Sequence, residues 1–192
     1  MEILQNKVQE KLGEDRYKHS LNVLETALKL AKYYNIPEEE VQIAALLHDY
    51  AKELTLDEVK KLGVEHDFSN EDNFKMYMNL IHGELASLLA KSDFGIEDID
   101  ILNAIRYHTT GRENMSILEK IIYLADVIEP SRDFDKLNSI REMAYVNLDK
   151  AILMAMDSTL DYLIKTGSLI HIDTIKARNY IITEITKRLI DE

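Results

Sequence analysis

The sequence contains no cysteine. Disulfides, zinc–thiolate sites and thiol nucleophiles are therefore excluded, and a reducing compartment suits the chain. Proline is nearly absent, with 2 in 192 residues, and glycine occurs 6 times. That is too few turn formers for a β-rich fold with many tight turns. No apolar run approaches the roughly 18 residues of a membrane span. The N-terminal stretch Met1-Glu2-Ile3-Leu4-Gln5-Asn6-Lys7 lacks the basic and apolar regions of a signal peptide. A cytoplasmic location and no membrane partner are expected. Positive charge is scarce as well: 23 Lys and Arg face 35 Asp and Glu, a net charge of −12. This argues against nucleic acid as a partner, which would want a basic footprint. An anionic small substrate stays open, because a metal ion supplies positive charge locally.

What remains is an ordinary globular balance, 46% hydrophobic and 30% charged. The length suits one domain with a substantial core. Hydrophobic periodicity predicts helices over 2–12, 15–35, 38–51, 55–62, 81–92, 96–108, 116–129, 133–144, 147–165 and 173–190, an all-α chain. Thr55-Leu56-Asp57-Glu58 and Ser116-Ile117-Leu118-Glu119 read as capping boxes. Pro37 suits the first turn of a helix, and Pro130 stops one. The polar, irregular stretch 63–79 is expected to be a mobile loop or lid. Tyr145, Leu148, Ile152, Ala155 and Met156 make an apolar stripe, and Ile175, Tyr180, Ile182, Ile185 and Leu189 a looser one. Both are read as packing against the core, with a homodimer surface as the alternative.

Against this background one dipeptide stands out. Val41, Ala44, Ala45 and His48 share one face of a 3.6-residue period, and Asp49 follows. A buried imidazole beside a buried carboxylate is costly unless something compensates, and a metal ion is the usual answer. Chance alone predicts about half a His-Asp pair in such a chain. The second pair, His66-Asp67, lies in a polar segment and reads as solvated surface. The anomaly at His48 repeats elsewhere, however. His19 shares a stripe with Val23, Ala27 and Leu30; His82 with Leu85, Ala86 and Leu89. His108 shares one with Ile101, Ala104 and Ile105, and Asp126 with Leu118 and Ile122. A lone histidine on an apolar face is ordinarily a satisfied core residue. Five helices each aiming one ligand-type side chain inward need a common partner, and a shared metal centre is the most economical. His66 and His171 lack such stripes and are not expected to be ligands.

Taken in order, His19, His48-Asp49, His82, His108 and Asp126 resemble the HD-domain superfamily of metal-dependent phosphohydrolases, an all-helical fold named for its His-Asp pair. The segments Arg16-Tyr17-Lys18-His19-Ser20, Ala44 to Lys52, Ile81-His82-Gly83, Tyr107-His108-Thr109-Thr110-Gly111 and Ile121 to Arg132 are similar to its bacterial symmetrical bis(5′-nucleosyl)-tetraphosphatase branch. They cover most of residues 16–132. The resemblance implies one HD-type domain over 1–192, with the metal-site core over about 15–132 and packing helices over about 145–190. It implies two divalent metal ions. His19, His48, Asp49 and Asp126 would hold the first, and His82 and His108 the second, with Asp49 bridging. Iron is the first choice, from the family, with Mn or Mg as alternatives. The implied reaction is hydrolysis of diadenosine tetraphosphate to two ADP by a metal-bridged hydroxide.

Asp49 and Lys52 are then the catalytic candidates. Lys52 also reads as a phosphate clamp, together with Arg132. Thr109, Thr110 and Gly111 are candidate donors to the substrate. Plainer readings stand beside these: Lys52 as a solvated helix-end cation, Arg132 as surface, Gly111 as a helix end. Two other functions also stay open, another HD-type nucleotide phosphohydrolase (mononucleotide or cyclic nucleotide) and a metal-stabilised, non-catalytic nucleotide-binding module.

Overall fold

A computed structural model of the chain describes residues 1–64 and 71–191. These form ten helices: α1 Glu2–Lys11, α2 Glu14–Tyr34, α3 Glu38–Leu47, α4 Leu56–Lys61, α5 Glu71–Phe94, α6 Ile99–Arg106, α7 Ile117–Ile128, α8 Leu137–Met143, α9 Leu148–Thr166 and α10 Ile172–Asp191. No strand occurs among the described residues. The all-α expectation holds, and no helix among these residues is long and apolar enough to cross a membrane.

Local chemistry sets the helix ends. Both capping boxes form: Glu58 N–H donates to Thr55 Oγ1 while Thr55 N–H donates to Glu58 Oε2, and Ser116 and Glu119 repeat the exchange on α7. Asn35 ends α2 and Gly167 ends α9 in left-handed conformations, which release the chain from the helix. Pro37 takes the N-cap of α3, one position earlier than its expected place in the first turn.

Packing follows the apolar stripes. α2 lies against α3 and α7, and α6 against α5, α3 and α7. This inner bundle carries the stripes that end in His and Asp, and their aliphatic members are buried. α9 then packs on α7, with α8 and α10 against α9. Leu148, Ile152, Ala155 and Met156 are buried as expected, whereas Tyr145 of that stripe is 39% exposed.

Two further expectations need correction. The segment 63–79 is not all loop, since α5 begins at Glu71 and runs ten residues earlier than the predicted 81. Met78 and Ile81 are buried on it, so the segment contributes to the core. Residues 65–70, with His66-Asp67, lie outside the described residues. On α10 the buried face is Thr174, Ala177 and Ile181, not the looser stripe, and Leu189 is 65% exposed. Small residues at 174 and 177 allow close approach to α9, so fit outweighs hydrophobicity in setting the helix's rotation.

Candidate metal centre

His48 and Asp49 are adjacent, and on a continuous helix adjacent side chains diverge by about 100°. α3 ends at Leu47, and His48 still keeps helical dihedrals, so the two side chains approach the centre from different directions. Residues after it continue in tight turns, with Tyr50 N–H donating to Leu47 O and Lys52 N–H to Asp49 O. His48, Asp49 and Lys52 thereby reach one place. α6 likewise ends, at Arg106, ahead of His108 and Thr109, whose side chains meet at 3.0 Å.

Asp49 sits at the middle. Its Oδ1 lies 3.1 Å from His82 Nε2 and 3.6 Å from His108 Nε2. Its Oδ2 lies 3.6 Å from His48 Nε2, 3.8 Å from His19 Nε2 and 2.8 Å from Arg16 Nη1. Asp126 Oδ1 is 3.0 Å from His19 Nε2. All six expected ligands are thus gathered. Among the described residues, two groups have their ligand atoms close enough to share an ion: His19, His48 and Asp126, and His48, Asp49 and His108. His48 belongs to both.

The donor chemistry fits a metal. The Nδ1 atoms of His48, His82 and His108 lie 2.7, 2.9 and 2.7 Å from the carbonyl oxygens of Ala45, Met78 and Ile105. A carbonyl only accepts, so each Nδ1 carries the proton and each Nε2 presents a lone pair inward. His82 and His108 Nε2 are 3.0 Å apart. Two lone pairs at that distance repel, and the Thr109 hydroxyl, 3.1 and 3.0 Å from them, can donate to only one. His19 Nε2 and His48 Nε2 are buried with no hydrogen-bond partner. Unsatisfied buried nitrogens converging on two carboxylates are what a cation requires.

Electrostatics agree. Burial pushes His48 down to about 4, against the pull of Asp49. Burial likewise pushes His82 down to about 4, opposed by Asp49 and helped by Lys52. Both are neutral at pH 7, the state a metal ligand needs. Burial works against the charge on both aspartates, yet His48, His108 and His82 hold Asp49 well below the carboxylate range. His19 and Arg132 do the same for Asp126. Burial opposes a charge on His19, yet the carboxylates of Asp126, 3.0 Å from its Nε2, and of Asp49 together raise it.

The substrate candidates are placed unequally. Lys52 Nζ lies 3.3 Å from His82 Nδ1 and is part-buried, so it is not a solvated helix-end cation. Thr109 and Arg132 line a cavity of about 520 Å³ together with His108, Asp126, Phe134, Tyr162 and Lys165. Arg132 Nη2 donates to Asp126 Oδ1 at 2.6 Å. Thr110 and Gly111 do not share this cavity. The Thr110 hydroxyl donates to Gly111 O, and the Gly111 N–H donates to Tyr107 O. Gly111 has φ +66°, and a Cβ there would meet Met156 Cε at 2.6 Å. It serves packing against α9 and α10. His171 lies apart from the centre, its Nδ1 accepting the Asp173 N–H.

Sequence reasoning gave no role to Arg16 and Glu129, which it named only within longer segments, and passed over Asn22. Arg16 and Asn22 stand three residues either side of His19, and Glu129 three after Asp126. A polar residue one helical turn from a ligand was the available signal. Gly83 was noted only as part of a segment. A Cβ on it would meet Arg106 O at 2.6 Å and His108 Nδ1 at 3.2 Å, so it lets α5 approach the end of α6.

Known proteins match this arrangement. A family model described as the HD domain matches residues 16–131. The symmetrical bis(5′-nucleosyl)-tetraphosphatase of Halalkalibacterium halodurans is 40% identical over 90% of this chain and 92% of its own length. The protein of that name from Staphylococcus aureus is 38% identical over 89% of each chain. A crystal structure of a Clostridium acetobutylicum protein, described as a predicted HD superfamily hydrolase involved in NAD metabolism, is 44% identical. It superposes with a TM-score of 0.84 over 95% of this chain and 97% of that one. With its His and Asp side chains gathered at one buried centre, this chain belongs to the HD-domain superfamily, in the branch whose curated members carry the name symmetrical bis(5′-nucleosyl)-tetraphosphatase.

Proposed function

We propose that the chain is a metal-dependent hydrolase that cleaves dinucleoside tetraphosphates symmetrically, diadenosine tetraphosphate and water giving two ADP. The observation that carries this is the convergence of four imidazole Nε2 atoms on Asp49 and Asp126, beside a cavity lined by Thr109 and Arg132. The names of the curated relatives supply the substrate class.

His19, His48, Asp49 and Asp126 would hold one divalent ion, and His82, His108 and the second oxygen of Asp49 another. Iron is favoured, with Mn or Mg as alternatives, since imidazole with carboxylate suits first-row ions. Such ions supply charge neutralisation and a nucleophilic water at neutral pH.

The chain's own residues do the rest. Asp49 holds the two halves of the centre in register through its two oxygens. Arg132, bonded to Asp126, and Lys52, beside His82, offer positive charge to the reacting phosphate. Burial lowers Lys52, and Asp49 acts to restore its charge. The Thr109 hydroxyl offers a donor at the mouth of the centre. Water adds to one inner phosphorus, the bond from that phosphorus to the central bridging oxygen breaks, and an ADP leaves with that oxygen. The cavity, of a volume usual for small-ligand sites, accommodates one nucleoside end.

Chromatography of early products from diadenosine tetraphosphate, with Fe(II) or Mn(II) supplied, tests this. ADP alone is expected. Equal AMP and ATP would overturn it, as would no turnover beside brisk hydrolysis of a mononucleotide or of NAD. The NAD arm is included because the Clostridium acetobutylicum protein is described in those terms. Lys52→Ala is expected to slow turnover at least tenfold with metal content unchanged, read by elemental analysis of the same samples.

A further inference from the structure

Three of the four central histidines are oriented by their own helical segment. His48, His82 and His108 each use a backbone carbonyl three or four residues earlier. His19 does not. Its Nδ1 faces Glu129 Oε1 at 3.2 Å, a carboxylate 110 residues away in sequence. Glu129 is 0% exposed. Its Oε2 accepts from Asn22 Nδ2 at 3.1 Å and from the Ser131 N–H at 2.6 Å, and its Oε1 accepts from the Ser131 hydroxyl at 2.5 Å. Arg132 Nε stands 3.5 Å from Oε1, and Arg141 Nη2 donates to the Glu129 backbone carbonyl at 2.9 Å. Asn22, Ser131 and His19 thus engage both oxygens of the carboxylate.

We propose that Glu129 is a positioning residue for the ion bound by His19 and Asp126, acting through His19 Nδ1. The inference rests on the metal-dependent reading above. A carboxylate at Nδ1 keeps the proton there and leaves the Nε2 lone pair directed inward. Being anionic, it also makes that nitrogen a stronger donor than a neutral carbonyl would. Without it the ring can turn over about its Cβ–Cγ bond and present Cε1 to the centre. His48, His82 and His108 keep their own carbonyls in that case, so the effect is confined to one ligand. Glu129 begins the turn after α7, one residue before Pro130, while His19 is on α2. The contact therefore ties the ligand of α2 to the end of the helix that carries Asp126.

The test is Mn(II) affinity of the full-length protein by chelator competition, in wild type, Glu129→Gln, His19→Ala and the double variant. Glu129→Gln is expected to weaken one of two bound ions about ten- to a hundredfold and to leave the other. In the His19→Ala background the same change is expected to do nothing more, because its route is gone. Unchanged affinity in Glu129→Gln, or an equal loss in both backgrounds, would overturn the proposal. If Glu129→Gln does not fold, long-range ¹H–¹⁵N spectra of the metal-free wild type decide instead. A proton on His19 Nδ1 supports the role, whether or not Nε2 beside Asp126 also carries one, and a bare Nδ1 overturns it. Wild-type protein that binds no Mn(II) or Fe(II) would remove the metal-dependent reading itself, a failure distinct from a normal wild type with an indifferent Glu129→Gln.

Discussion

Asp49 divides its two carboxylate oxygens between two pairs of imidazoles, Oδ1 toward His82 and His108 and Oδ2 toward His19 and His48. Its removal therefore reaches both halves of the centre, whereas removal of His108 reaches one. Asp49→Ala is expected to lose both ions, and His108→Ala to retain close to one per chain. Elemental analysis of protein purified without chelators, with the fold checked by circular dichroism, measures this. One ion per chain in fully active wild type would contradict the binuclear arrangement. At this scale the sequence was informative about which residues matter, since an imidazole ending an apolar stripe is anomalous in itself. It was silent about their partners. Arg16 meets Asp49, 33 residues away, and Glu129 meets His19, 110 residues away. Neither pairing leaves a periodic trace.

Helix ends and one glycine decide how the elements deliver these side chains. α3 and α6 stop just before His48 and His108, and the tight turn after α3 sets Lys52 on the same side as Asp49, three residues earlier. Apolar periodicity overran both ends, to 51 and 108, because turn residues there remain buried and keep the apolar pattern. It missed the first ten residues of α5, Glu71 to Leu80, because polar residues there interrupt the spacing of Phe74, Met78, Ile81 and Leu85 that continues one helical face. Gly83 is the close-contact point of α5 with α6. Gly83→Ala would set a methyl group against the carbonyls of Arg106 and Ile105. Backbone must move, at a cost of about 1–3 kcal/mol. A lower urea midpoint is expected, together with weakened metal binding at the His82 and His108 side. An unchanged midpoint would show that α5 has slack the geometry does not suggest.

At the scale of the molecule, ligands from separate helices make metal binding a folding term. Ions that bind only the native arrangement stabilise it by linkage. Verified metal removal is expected to lower the melting temperature by several degrees as well as to abolish activity, and calorimetry of stripped and reloaded protein checks it. A second tie lies outside the centre. Asp149 on α9 meets Lys120 of α7 at 2.6 Å and Arg188 of α10 at 2.8 Å. Burial opposes its charge, but these two cations hold its carboxyl below the usual range. A carboxylate depressed in the folded state stabilises fully above its unfolded value, about 4. That contribution is lost as pH falls through the folded value. Asp149→Asn is therefore expected to lower stability at pH 7 and to narrow its gap from wild type as pH falls below about 4. A gap that is the same at pH 7 and pH 3 in urea unfolding would contradict this.

The order of residues by itself determined an all-helical chain, two capping boxes, the stop at Pro130 and the set of inward-facing His and Asp. Each of these depends on spacing along one segment, so a 3.6-residue period or a four-residue motif is enough to carry it. The tertiary structure alone decided the rest. It set the rotation of α10, where Thr174 and Ala177 rather than Leu189 face inward. It gave Gly111 to packing and Thr109 to the cavity. It brought Arg16, Lys52, Glu129 and Arg132 to the centre. Those outcomes depend on which helix passes close to which, and on where a buried charge or lone pair finds its counterpart. That information lies between segments distant in sequence, where no local period records it.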